Sequence, residues 1–194
     1  MLLAGADVSG NTHGDGQARH IAFVLGTTET VNHLFDKIGL PEIHTVDLDD
    51  GERKQVYDNL EFSENNIMGW CLNVERQLTI DYIFTHKKLN PKNKQKSTIQ
   101  KHFDYCLLQH IKEPIETFTY SKGKQLNEIV VQCDSDMDNT AINWKMVMSH
   151  EKGKAFQLSD AIAWCNEHGK RIKQCSVMDL RKVLRQRMEH DLLK

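Results

Sequence analysis

Three aspartates stand where an acid is conspicuous. Asp7 follows the apolar run Leu2 to Ala6 and precedes a Ser-Gly turn, Asp134 follows the apolar run that ends at Cys133, and Asp160 sits among Leu158, Ala161, Ile162 and Trp164. Burying an ionised carboxylate costs several kcal/mol unless something compensates it, so Asp160 needs a partner. Oxygen ligands gathered without cysteine or paired histidine suit Mg²⁺ or Mn²⁺ rather than zinc. Two such ions, about 4 Å apart, activate a water and stabilise the leaving oxygen in phosphodiester hydrolysis. We therefore expect Asp160 to face Asp7 and Asp134 around a shared divalent cation. Local alternatives exist for each acid: Asp7 caps the turn after it, Ser159 or Asp160 caps a helix start, and Asp136 or Asp138 replaces Asp134.

The elements that must carry these acids are readable in the chain. Leu2 to Ala6 is long enough for a buried strand, and open α/β sheets place ligands beyond the carboxyl ends of their strands. Residues 18–26 form a second strand, joined to the first through the Asn- and Gly-rich turn 11–17. Thr27 or Thr28 caps a helix over Glu29–Ile38 that stops at Gly39. Glu42 to Asp47 alternates as a short extended piece, with Glu42 and His44 on one side and Ile43 on the other. Asp49 or Asp50 opens a helix to about Leu60, and Ile67–Val74 is a third strand. Glu75–His86 is either helix or strand, residues 87–96 are a basic loop, and Ser97–Ile111 is a helix closed by Pro114. Two strands follow, Pro114–Tyr120 and Asn127–Cys133. Helices are then expected over Thr140–Ser149, Ala155–His168 and Ser176–Leu193. This order argues for a mixed α/β sheet with helices packed on it.

Composition limits the class. At 194 residues, with 39% hydrophobic and 27% charged residues, the chain is expected to be one globular domain, residues 1–194, with residues 170–194 as a C-terminal helical extension. The first ten residues lack the basic start and longer apolar core of a secretory signal, and no run approaches the roughly 20 apolar residues of a membrane span, so a soluble cytoplasmic protein is expected. Five cysteines without a CxxC pair fit neither a disulfide framework nor structural zinc. The net charge of −2 excludes a uniformly basic surface, so any nucleic-acid contact must come from local patches. Lys87, Lys88, Lys92, Lys94 and Lys96 form one such patch, with a solvated loop as the alternative. Lys182, Arg185 and Arg187 form a second, diluted by Glu189 and Asp191. Trp144 and Trp164 read as core, and His44 has the pKa of a proton shuttle, or is simply a surface histidine.

Four short segments occur in an order that carries more information than any one of them. They are Asp7-Val8-Ser9-Gly10, Glu42-Ile43-His44, Val130-Val131-Gln132-Cys133-Asp134 and Phe156-Gln157-Leu158-Ser159-Asp160-Ala161-Ile162-Ala163. Together they resemble a group of uncharacterised archaeal and prokaryotic proteins of the ribonuclease H-like superfamily, which start with an aspartate-x-Ser-Gly strand and carry a late leucine-glutamine-x-alanine-aspartate helix. This chain departs from that pattern at Phe156 and at Ser159. The resemblance implies a ribonuclease H-like mixed sheet flanked by helices, with additional C-terminal helices. It also implies an acidic cluster of Asp7, Glu42, Asp134 and Asp160 holding Mg²⁺ or Mn²⁺. The function expected is a metal-dependent nuclease or related phosphoryl-transfer enzyme acting on RNA, DNA or their hybrid. The alternative is a non-catalytic module on the same fold that binds nucleic acid or a protein partner.

Overall fold

A strand buried on both faces has no polar side to show, which is why LLAGA is continuously apolar rather than alternating. Leu2–Ser9 forms strand β1, and its residues feed two cores in turn: Leu2, Ala4 and Ala6 pack on one face of the sheet and Leu3 on the other. The computed structural model describes residues 1–9, 18–63, 66–75, 109–133, 144–149 and 151–179. Strand β2 (Ala18–Thr27) pairs antiparallel with β1, and β3 (Ile67–Glu75) pairs antiparallel with β2. On the other side of β1 lies β4 (Ile129–Cys133), parallel to it, with Ala6 opposite Cys133. Strand β5 (Val147–Ser149) runs parallel to β4, and β6 (Cys175–Asp179) runs parallel to β3. The sheet order is thus β5-β4-β1-β2-β3-β6. An antiparallel β1–β2–β3 meander extended by β4 and β5 parallel to β1 is the ribonuclease H-like arrangement, so the expected fold class is the one observed.

Helix α1 (Thr28–Ile38) starts where the Thr27 hydroxyl accepts from the Thr30 amide at 3.2 Å and ends at Gly39, whose φ of 78° suits glycine. Helix α2 (Asp50–Asn59) opens with a capping box between Asp49 and Glu52. With helix α4 (Lys154–Glu167) these two cover the Leu3 face of the sheet, while α3 (Lys112–Ser121) covers the opposite face through Ile115 and Phe118.

The α4 helix lies directly on β1. A Cβ at Gly5 would sit 1.9 Å from the Ala155 carbonyl oxygen, so the backbone contact exists only because residue 5 has no side chain. Gln132, opposite Gly5 in register, anchors the start of α4: its Oε1 accepts from the Ala155 amide at 3.0 Å and the Phe156 amide at 3.4 Å. At the other end Asn166 donates to Asn73 Oδ1, and its amide nitrogen lies 2.7 Å from Nδ1 of the buried His20. The helix therefore crosses the sheet from the β4–β1 pair to the β2–β3 pair.

Several segments differ from expectation. Pro114–Tyr120, expected as a strand, is part of α3, because proline in a first helical turn loses no needed N–H while Ile115, Phe118 and Thr119 bury one helical stripe. Helix was expected over Thr140–Ser149, but its described part is a turn and β5. Trp144 and Met146 are buried between exposed Lys145 and Val147, a period of two. Ser176 begins no helix: it belongs to β6, where pairing with β3 overrides the helical spacing of Val177 and Leu180. That places this part of the C-terminal segment in the sheet. The Glu42–Asp47 piece alternates in burial as expected but ends in a turn at Thr45–Asp47 rather than running extended. Of Ser97–Ile111, only a 3₁₀ turn at Gln109–Ile111 falls within the described residues. The turn 11–17, residues 76–96, and Lys182, Arg185 and Arg187 lie outside them. Among the described residues no helix is long and apolar enough to cross a membrane. Cys71, Cys133 and Cys165 are buried, and burial pushes the Cys165 and Cys175 thiols up to about 12, far from the thiolate form.

Candidate functional site

The outward face of α4 grips the loop between α1 and α2. Gln157 and Asp160 are three residues apart and so share one helix face. Gln157 Oε1 accepts from the Ile43 amide at 2.6 Å. Asp160 Oδ2 accepts from both the amide and the hydroxyl of Thr45, at 2.8 and 3.0 Å. From α2, Arg53 donates to the Thr45 carbonyl at 3.2 Å and the Val46 carbonyl at 3.3 Å. The loop is held by its backbone on two sides, with Ile43 buried and Glu42 and His44 facing out.

His44 is oriented in turn by Asp47, whose Oδ2 lies 2.5 Å from His44 Nδ1. A carboxylate only accepts, so the proton sits on Nδ1 and Nε2 is left to exchange one. Asp47 raises the His44 pKa above its usual value, aided by the charge of Asp160 and opposed by partial burial and by Lys152. Glu42, His44, Asp47, Leu48 and Lys152 line a pocket of about 250 Å³.

Asp7 is half-buried on β1, opposite Ala22 and two residues beyond Gly5, hence on the sheet face that carries α4. The structure thus brings Glu42, His44 and Asp160 to one loop–helix junction and puts Asp7 near the carboxyl end of β1. Asp134, with the alternatives Asp136 and Asp138, lies outside the described residues, as do Lys87, Lys88, Lys92 and Lys94. Among the described residues no three histidine, cysteine, aspartate or glutamate side chains are grouped closely enough to hold a metal. The partner that Asp160 needs is Thr45, a role that neither helix capping nor shared metal ligation had suggested. Gln157, Thr45, Asp47 and Arg53 were not anticipated. The available signals were Asp47 three residues after His44 and Gln157 three residues before Asp160.

Two outcomes are expected at this junction. In an NMR titration His44 protonates above pH 6.5, its ordinary value, and Asp47→Asn lowers its midpoint. A raised folded-state pKa means that the contact stabilises the fold below the unfolded value and loses that contribution as pH rises through the folded value. Both side chains are largely exposed, so the stability effect is small even though the titration shift is clear. Second, Asp160→Ala accelerates hydrogen exchange at the Thr45 amide, whereas Asp160→Asn keeps an acceptor and with it the protection. Equal exchange in the native protein and Asp160→Ala would show that the carboxylate does not hold the loop.

Comparison with known proteins bears on the fold. No protein-family model and no curated protein matches the chain. Among solved structures it is similar to the ribonuclease HII of Archaeoglobus fulgidus, solved in complex with PCNA, with 13% identity and a TM-score of 0.44. It is also similar to the ribonuclease H2 of Pyrococcus horikoshii OT3, with 15% identity and a TM-score of 0.47. Each match covers 88% of this chain and 74% of the other. At that distance the likeness says nothing of activity, and the ribonuclease H-like class stands on the strand order and directions of the chain itself.

Proposed function

We propose that the chain is a divalent-metal-dependent nuclease or related phosphoryl-transfer enzyme acting on RNA, DNA or an RNA/DNA hybrid. One observation carries the reading. The adjacent parallel strands β1 and β4 run in register from Leu2 and Ile129 to Ala6 and Cys133, and the next residue of each in the chain is an aspartate, Asp7 and Asp134. In this reading Asp7 and Asp134 hold Mg²⁺ or Mn²⁺, with Glu42 and Asp160 completing an all-oxygen donor set of the kind these hard cations prefer. Asp160 holds Thr45 through Oδ2, which leaves Oδ1 outside that contact.

When bound, the cations supply an activated water and offset the charge that develops at phosphorus. The chain's own residues do the rest. Gln157, Asp160 and Arg53 fix the loop, so that His44 Nε2 is aimed by the Asp47 contact and takes or gives a proton at the substrate. Lys87, Lys88, Lys92 and Lys94 supply sequence-independent attraction to the phosphate backbone.

The test is calorimetric titration of the native protein with Mn²⁺, followed by incubation with labelled RNA, DNA and hybrid. Saturable Mn²⁺ binding with metal-dependent cleavage of at least one substrate is expected. Nucleic-acid binding without Mn²⁺ binding or cleavage would replace the reading with that of a non-catalytic module.

A further inference from the structure

On the far side of the Thr45–Asp47 turn, α2 and the C-terminal end of α4 enclose a groove of about 800 Å³, within the range of small-ligand sites. Its walls combine aromatic faces with cations. The His168 ring stacks on Trp164 with centroids 4.3 Å apart and planes 26° apart. His168 Nδ1 lies 2.8 Å from the Trp164 carbonyl, which can only accept, so the imidazole is locked in place with its proton on Nδ1. His168 itself is exposed. The Arg53 guanidinium lies 5.7 Å from the Trp164 ring, and the Lys170 ammonium lies 5.7 Å from the ring of Tyr57.

The charges are unequally satisfied. Arg53 is paired with Asp50 and Lys54 with Asp58, whereas Lys170 has no carboxylate partner among the described residues. A preformed aromatic stack beside one ammonium held in no ion pair, in a groove that the Glu167 carboxylate also lines, suits a ligand with a planar ring and a single anionic group. Stacking of this type accepts any base, and Lys is an effective point charge for phosphate.

We propose that this groove is a nucleotide site, taking a base against the His168 and Tyr57 rings and its phosphate on Lys170. Two sources share that chemistry, a free mononucleotide and one residue of a single strand. The inference goes beyond the cleavage reading and does not depend on it.

The test uses tryptophan fluorescence of the full chain in the presence of a chelator, so that no metal-dependent event contributes. Trp70 and Trp144 are buried at 3% and 2% exposure, which leaves Trp164 as the reporter for the groove. Adenosine 5′-monophosphate is expected to give a saturable change, and adenosine to bind about tenfold more weakly. Lys170→Ala should reduce the nucleotide to the level of adenosine, and His168→Ala should weaken both. A six-residue single-stranded oligoadenylate that binds at least about tenfold more tightly than the mononucleotide identifies a strand as the source. Equal affinities identify a free nucleotide. No saturable change with any probe up to about 5 mM overturns the proposal, as does nucleotide binding that both substitutions leave untouched.

Discussion

Gly5→Ala is expected to leave little folded protein. The added Cβ would lie 1.9 Å from the Ala155 carbonyl oxygen, 2.1 Å from its carbonyl carbon and 2.7 Å from the Phe156 amide nitrogen. All three are backbone atoms, so no side-chain rotation relieves the overlap. The helix cannot back away either, because Gln132 ties its first amides to β4 and Asn166 ties its last turn to β2 and β3. Ordinary overpacking costs about 1 to 3 kcal/mol. A clash of two anchored main chains should exceed that, at about 4 kcal/mol or more, a large part of the total stability of a typical domain. Gly123→Ala is the control: its φ of +66° is strained, but nothing lies within 4 Å of the new Cβ, so the cost should stay near 1 kcal/mol. Urea denaturation followed by circular dichroism checks both. A Gly5→Ala midpoint equal to that of the native protein would mean that α4 does not rest on β1 as described.

The largest expected effect on activity comes from Asp7→Asn. The amide keeps the size of the carboxylate and its place near the end of β1 but removes the charge that would hold a cation. If Asp7 is a ligand, Mn²⁺ affinity falls and single-turnover cleavage drops on the order of a thousandfold or more, the effect of removing several kcal/mol of transition-state stabilisation. Asp134→Asn should behave alike, and a double substitution should add little to either. Unfolding curves of both variants, recorded beside that of the native protein, separate a loss of metal binding from a loss of fold. Cleavage within a fewfold of native in Asp7→Asn would remove this aspartate from the mechanism.

Where local chemistry decides structure, the sequence was a reliable guide. Thr27 and Gly39 bracket α1 because a hydroxyl cap and a left-handed glycine act within one turn, and Asp49 with Glu52 opens α2 for the same reason. The fully apolar run of β1 announced a strand covered on both faces. What stayed hidden depends on contacts distant in sequence. Nothing near Asp160 names Thr45 as its partner, and no local pattern shows that Gly5 must admit a helix backbone. Pro114 misled because a residue that ends one helix is equally at home in the first turn of the next. At Cys175–Asp179 the open edge of β3 decided the outcome over helical spacing. Of the candidate acids, Asp7 was legible as a carboxylate near the carboxyl end of β1. The clamp on the Glu42–His44 loop was not, since backbone amides leave no mark in a sequence.

The placement of β4 also bears on how the molecule assembles. Strands β1, β2 and β3 pair as an antiparallel meander in which only the β1–β2 closure is short in sequence, two helices intervening before β3, whereas β4 reaches β1 from the far half of the chain and α4 follows later still. An early meander would carry Asp7 without the strand that leads to Asp134, and without the helix that grips the loop. The pairing of β4 with β1 and the grip of α4 on the Glu42–His44 loop therefore both wait on long-range closure, so a partly folded chain has neither.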